Sequence, residues 1–316
     1  MTIEVNVDNF ARAEVAAQVE RFLAFGAAVN DWTHIRTPTP LDQQSVIRMN
    51  RDTLYSVAVV DAAAGVTVTV PDAGGRYLTV MIMDEDGYVA RVLHDPGNHL
   101  LAAHDAGGGF AVLIARILVD PTDPEDVAGV NRVQDLLGID AASSRPWPAG
   151  LYDDASYQAT KQPLLELGLG LHDSRRTFGT RDSVDPVRFL IGTAGGFGGL
   201  PEEEAYYAIR ATHLPVGRYE LRVADVPVDG FWSVSVYNRD GFFDENPYDS
   251  YSVNNVTAVA DDDGAVTIQF GPEPDGSPNY LYVKDGWNYV ARMYRPRRSI
   301  LDGTWSFPEP EALLSS

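Results

Sequence analysis

The sequence predicts a mainly β protein with a helical insert, laid out as a β-rich part, a helical part and a second β-rich part. Three observations carry this expectation. Apolar and polar residues alternate at both ends of the chain, in "GVTVTVP" and "RYLTVMIMD" early and in "GRYELRVADVP", "GFWSVSVYN" and "GAVTIQFGP" late. A period of two marks a strand with one buried face. Between these parts, "PEDVAGVNRVQDLLG" and "SYQATKQPLLELGLGL" carry helical spacing and are flanked by Pro and Gly. The length of 316 residues, 45% of them hydrophobic, suffices for two domains of ordinary size or one large all-β unit, with a sizeable core.

In chain order, a helix opens the protein. Phe10, Val15, Val19, Phe22 and Leu23 recur near every 3.6 residues, with Asp8 or Asn9 placed to cap. Past Pro38 and Pro40, Leu54, Val57, Val59 and Val60 read as a buried strand. "GGGFAVLIARILVD" is another. "HDPGNHLLAAH" reads as a loop, because Pro96 and Gly97 interrupt it. "DPVRFLIGTA" predicts a third helix of the insert, and "GGFGGLPEEEAYYAI" a glycine-rich connector entering a short capped helix. "ADDDGAV" reads as a hairpin turn at Asp261 to Gly264, since it lacks the spacing and terminal Glu of a calcium loop. "NYVARMYRP" is the last strand. The boundaries expected are 1–122 for an N-terminal β domain with its leading helix, 123–199 for a helical connecting region and 200–316 for a C-terminal β domain.

The two β-rich parts look alike. "GGRYLTVMIMDEDGY" and "DGFWSVSVYNRDGFF" each run glycine, aromatic, alternating strand, polar residue, Asp-Gly, aromatic. Counted back from Asp86 and Asp240, Val80 matches Val234, Ile82 matches Val236 and Asp84 matches Asn238. Each part later embeds an arginine in a strand, Arg116 and Arg292. An internal duplication explains this; so does the general habit of strands that end in Asp-Gly turns.

Composition narrows the function. A net charge of −21 argues against nucleic acid or an anionic membrane as a partner, since phosphate binding needs a basic footprint. The absence of Cys excludes disulfides, thiolate metal sites and cysteine nucleophiles. No apolar run approaches the roughly 20 residues of a membrane span. The N-terminal stretch lacks a basic and an apolar region in tandem, so a cytoplasmic protein is expected. Lys161 and Lys284, as the two lysines, leave few candidates for Schiff-base chemistry. The glycine-rich segment fits no dinucleotide or Walker pattern, and no nucleophile elbow is present. No cofactor is expected.

The chemistry concentrates in "VIRMNRDTLYSVAVVD". Here Arg48, Asn50, Arg51, Asp52 and Tyr55 feed into a strand, and polar groups entering a core need partners. In one reading they form a polar plug at a strand corner, with Arg48 and Asp52 paired. In the other they line a site. Arg48 or Arg51 then clamps a substrate carboxylate, Asp52 is the base, and Tyr55 the acid or orienter. A second patch lies in "FFDENPYDSYSVNN", where Tyr251 and Asn254 sit among aromatic and amide groups suited to ligands. The substrate-binding candidates are Arg48, Asn50, Arg51, Tyr237, Tyr251, Asn254 and Arg292; the catalytic candidates are Asp52 and Tyr55. His94, His99 and His104 stand five apart, a spacing that does not align them on a helix. No metal is expected there, although a loop folding all three together is the basis of a metal-enzyme alternative.

"NRDTLYS", "VPDAGGRY", "GGLPEEEAYY", "GFWSVSVYNRDGFFDENPYDSYSVNN" and "ILDGTW" resemble, in this order, a bacterial two-domain family: domain of unknown function 1254 followed by domain of unknown function 1214. The resemblance implies two β-sandwich or jelly-roll-like domains with helices between them. It brings no activity and no catalytic residues. The residues themselves favour a cofactor-independent enzyme acting by acid/base chemistry on a polar or carboxylate-bearing organic small molecule. The alternatives are a non-catalytic ligand-binding or assembly module and the metal enzyme. Self-association into a homo-oligomer stays open.

Overall fold

Strands dominate the architecture, as their periodicity predicts. The computed structural model describes residues 2–44, 47–210 and 214–313, so Val46, which begins the polar stretch, lies outside the described residues. The described chain divides into two units. The first comprises Met1–Pro38, Thr53–Gly170 and Arg176–Pro201; the second comprises Thr39–Asp52, Leu171–Arg175 and Glu202–Ser316. The segment that precedes the first long strand of the first unit therefore belongs to the second, and Arg176–Pro201, near the start of the second unit's strands, belongs to the first.

The first unit carries α1 (Phe10–Ala24), β1 (Thr33–His34), β2 (Thr53–Asp61), β3 (Val66–Val70), β4 (Leu78–Asp84), β5 (Val89–Leu93), β6 (Gly97–Leu101), β7 (Phe110–Leu118), α2 (Pro124–Gln134), β8 (Gly138–Ala141), α3 (Asp154–Gly168) and α4 (Pro186–Gly195). One sheet has the order β1-β2-β7-β4-β5 and the other β6-β3-β8. Val60, Val80 and Leu113 from the first sheet and Val66, Val68 and Leu101 from the second share one core, joined by Val130 of α2. Inward residues alternate with outward ones along β3, as a half-buried strand requires. Asp123, Asp153 and Asp185 cap α2, α3 and α4 by accepting first-turn N–H groups, and Pro124 and Pro186 occupy first-turn positions that need no donor. α1 starts after Asn9, but the Asn9 side chain bonds Asn6 and Glu4 instead of capping the helix.

The second unit carries β9 (Ala205–Arg210), β10 (Tyr219–Val223), β11 (Trp232–Tyr237), β12 (Ser252–Asn254), β13 (Val266–Gly271), β14 (Tyr280–Tyr282), β15 (Asn288–Tyr294), α5 (Arg298–Leu301) and β16 (Glu311–Ala312). Its sheets have the orders β12-β11-β15-β9 and β14-β13-β10-β16. Val234, Tyr289 and Met293 from one and Leu221, Ile268 and Phe270 from the other build its core. Among the described residues no helix is long and apolar enough to cross a membrane.

Two expectations are corrected. "EEEAYYAI" contains β9 and not a helix: β-favouring Tyr206, Tyr207 and Ile209 pair along β15, so tertiary pairing decides a segment with mixed local signals. The segment after His94 is not a loop throughout. Gly97, at φ 134, starts β6, which satisfies its backbone groups against β3.

The strand orders match between the units. Read as β9-β15-β11-β12, the first sheet of the second unit follows β2-β7-β4-β5, and β13-β10-β16 follows β6-β3-β8. Each ladder that has a counterpart in the other unit is antiparallel, while β14 adds a parallel ladder on β13 in the second unit alone. The registers match too. Tyr55, Arg116 and Thr79 form one row across β2, β7 and β4; Tyr207, Arg292 and Ser233 form the same row across β9, β15 and β11. The turns agree in detail. Asp84 Oδ1 accepts from the N–H groups of Asp86 and Tyr88, and Asn238 Oδ1 accepts from those of Asp240 and Phe242.

Candidate functional site

The site builds on the outer face of the sheet β12-β11-β15-β9. Along β15, Tyr289, Ala291 and Met293 point into the core, so Val290, Arg292 and Tyr294 point away from it. By the same alternation β11 sends Ser233, Ser235 and Tyr237 to that outer face. The segment Thr39–Asp52 covers it. Gln44 holds the segment in place, exchanging side-chain bonds with the Phe243 backbone at 2.7 and 2.9 Å. The Arg48 N–H donates to Gly241 O at 2.7 Å. Met49 packs with Tyr237, Phe243 and Tyr251.

Arg292, only 3% exposed, is the centre of this arrangement. Its Nη2 donates to Arg48 O and to Tyr237 Oη, each at 2.6 Å, and Nη1 donates to Ser235 Oγ at 3.1 Å. Tyr237 Oη in turn donates to Met49 O at 2.7 Å. Burial raises the Tyr237 phenol above its ordinary value, with Arg292 acting in the other direction. The Asn50 amide donates to Tyr294 Oη at 2.8 Å and its oxygen accepts the Asp52 N–H at 2.6 Å.

Asp52 is fully buried. Its Oδ1 accepts from Ser252 Oγ and Asn254 Nδ2, both at 3.1 Å. Asn254 is itself oriented, because its oxygen takes the N–H groups of Val256 and Thr257. Asp52 Oδ2 has no hydrogen-bond partner among the described residues, and neither has the buried Arg48 Nε. Arg51 lies over the Tyr251 ring at 5.1 Å and donates to Thr39 O. Burial pushes the guanidinium pKa of Arg48 and of Arg51 down. Among the described residues none of Arg48, Arg51, Arg292 and Asp52 makes an ion pair. The Arg48–Asp52 pair of the plug reading is therefore not formed.

Arg48, Asn50, Arg51, Asp52, Tyr237, Tyr251, Asn254 and Arg292 thus all belong to the second unit. Tyr55 does not join them: it lies on β2 of the first unit, where its ring faces Arg116 at 5.4 Å. The sequence reading missed Ser235, Ser252 and Tyr294. Their signal was the polar alternation of "WSVSVY", in which the serines mark a polar outer face. A small pocket on this unit is lined by Tyr237, Tyr251, Asn246, Ser250, Tyr282 and Lys284, with Lys284 paired to Asp244. Among the described residues no group of three His, Asp or Glu side chains is placed to hold a metal ion. His99 instead meets the Asp95 carbonyl at 2.8 Å, and His104 lies 3.5 Å from Asp105.

Chemically, the face offers guanidinium groups in excess of carboxylate and one buried carboxylate oxygen that has no hydrogen-bond partner among the described residues. Residues 29–141 match the family model described as protein of unknown function DUF1254, and residues 213–298 match DUF1214. No curated protein matches the chain. Two solved structures share the fold. The VPA0106 protein from Vibrio parahaemolyticus is 22% identical with a TM-score of 0.72, covering 98% of this chain and 100% of that one. An uncharacterised protein from Burkholderia cenocepacia is 16% identical with a TM-score of 0.54, covering 97% and 87%.

Proposed function

We propose, from the premise that the chain belongs to the family in which DUF1254 precedes DUF1214, that the second unit binds a small carboxylate-bearing organic molecule and transfers a proton to or from it. One observation carries the reading: three guanidinium groups, Arg48, Arg51 and Arg292, lie on the same face as Asp52 and form no ion pair among the described residues. A guanidinium is always charged, and a buried one is stabilised by an anion. In this reading the ligand supplies it. Asp52 is the proton acceptor through Oδ2, and Ser252 and Asn254 hold its other oxygen. Tyr55 has no part in the reaction. No cofactor enters the scheme. We expect no nucleic-acid partner, on the charge of −21, and read each pair of sheets as a sandwich.

Asp52→Asn tests this. It keeps the shape and the acceptor for Ser252 and Asn254 but removes the charge. The melting temperature should hold or rise, because an incompletely paired buried carboxylate is lost. Carboxylate binding, measured by calorimetry with propionate and benzoate, should change and any turnover should vanish. A steep fall in melting temperature with unchanged binding would instead make Asp52 a structural group. The second reading, a non-catalytic binding module, is favoured by the complete burial of Asp52; binding that persists without turnover in the native protein would select it.

A further inference from the structure

Each unit places a carbonyl from a left-handed residue against the arginine of its outer face. In the first unit Arg116 Nη2 donates to Gly198 O, and Gly198 has φ 78. In the second, Arg292 Nη2 donates to Arg48 O, and Arg48 has φ 54. Glycine takes this conformation without steric cost; an arginine does not. The second unit thus keeps a strained side chain at the point where the first does the same backbone task with none.

Strain alone does not distinguish Arg48. Arg176 and Arg295 are also left-handed, at φ 52 each, but both side chains are exposed to water. Arg48 is half-buried, and its Nε is buried with no hydrogen-bond partner among the described residues. Its neighbours do not compensate. Asp52 acts electrostatically on Arg51 and on Arg292, and is not among the groups acting on Arg48. Burial works against the Arg48 charge, the like charge of Arg292 adds to that, and Tyr237 opposes them. Strain, desolvation and missing charge neutralisation at one residue go together where function, rather than stability, has set the sequence.

We infer that Arg48 is the specificity-determining residue of the second unit, binding the single carboxylate of a small organic monocarboxylate. This rests on the site proposed above. One uncompensated guanidinium calls for one negative charge, and its planar fork matches a carboxylate. Arg51 is not the reader in this assignment, because Thr39 O and the Tyr251 ring already serve it. The bound anion would supply the group that Arg48 lacks, so ligand binding and relief of the desolvated charge are one event.

The test is Arg48→Gly, which copies the first unit's solution, beside Arg51→Gln. Calorimetric titrations use propionate and benzoate as probes, with inorganic phosphate and chloride as non-carboxylate anions. Arg48→Gly should raise the melting temperature by a few degrees and weaken both carboxylates at least tenfold, and Arg51→Gln should weaken them less than threefold. A lower melting temperature in Arg48→Gly would overturn the inference by making the side chain part of the fold. Binding that survives in Arg48→Gly and disappears in Arg51→Gln would overturn the assignment to Arg48 and leave the site reading standing. Native protein that binds phosphate or chloride as tightly as the carboxylates overturns the ligand class. Native protein that binds neither carboxylate removes the site reading, and this inference with it.

Discussion

The two units use one frame for different surfaces. Arg116 and Arg292 hold equivalent places in the ladders, each beside a tyrosine and a hydroxyl residue. What surrounds them differs. Where the second unit has Ser235 and Tyr237 on its outer face, the matching places on β4 are Met81 and Met83, both buried. Where the second has Tyr294, the first has Leu118. Arg292 therefore donates to Ser235 and Tyr237, while the corresponding places beside Arg116 offer thioethers. The lesson is that a conserved strand register does not carry a site. Three side-chain exchanges on one face separate a surface where Arg116 donates to the Gly198 carbonyl beside two methionines from one where Arg292 also donates to a serine and a tyrosine.

The comparison can be broken most directly at the arginines. Arg292→Met should destabilise the second unit by about 3 kcal/mol, because Tyr237, Ser235 and the Arg48 carbonyl lose a charged donor inside the protein. Arg116→Met should cost the first unit less, about 1–2 kcal/mol, since methionine suits a face that already carries two. Denaturant titration read by hydrogen exchange assigns each loss to its unit. Equal losses would mean that the polar network adds nothing.

Asp61 offers a feature of the first unit alone to work on. Arg145 holds its carboxyl well below the usual carboxylate range despite burial, with bonds at 2.7 to 3.1 Å. A depressed carboxylate contributes stability that is present above the unfolded value of about 4 and is lost as pH falls toward the folded one. Exchange protection in β2 should therefore fall below about pH 4 before that of β15. Asp61→Asn should cost about 2 kcal/mol at neutral pH and flatten the acid dependence. A profile that is the same in both proteins would sink this.

Gly198→Ala is the counterpart of Arg48→Gly. A methyl there would stand 2.8 Å from Ile114 Cδ1, at φ 78. It should cost about 1–2 kcal/mol, opposite in sign to the Arg48 change; a neutral result would remove the glycine requirement. The smallest effects belong to the matched hydroxyls. Thr79 Oγ1 and Ser233 Oγ are buried without a hydrogen-bond partner among the described residues. Thr79→Val and Ser233→Ala should each be neutral or stabilising, by less than about 1 kcal/mol, because no bond is lost. Destabilisation of one and not the other, in thermal melts, would show that the rows are not equivalent.

Much of the fold was determined by local sequence. The alternation in β3, β4, β10 and β11 sets which residues face inward whatever the strands pair with, since successive side chains point to opposite faces. The Asp-Pro starts of α2 and α4 terminate those helices by local hydrogen bonding. The repeated Gly-aromatic-strand-Asp-Gly pattern was legible for the same reason, as was the dense polar content of 48–55. β9 was not legible, because its tyrosines and the glutamates that precede it suit either state until β15 is present to pair with it. The partners of the polar stretch were decided by tertiary structure. Arg48 and Arg292 are 244 residues apart, and Asp52 and Asn254 are 202 apart. Periodicity fixes a face and not what covers it. Only the fold assigns Thr39–Asp52 to the second unit and Tyr55 to the first.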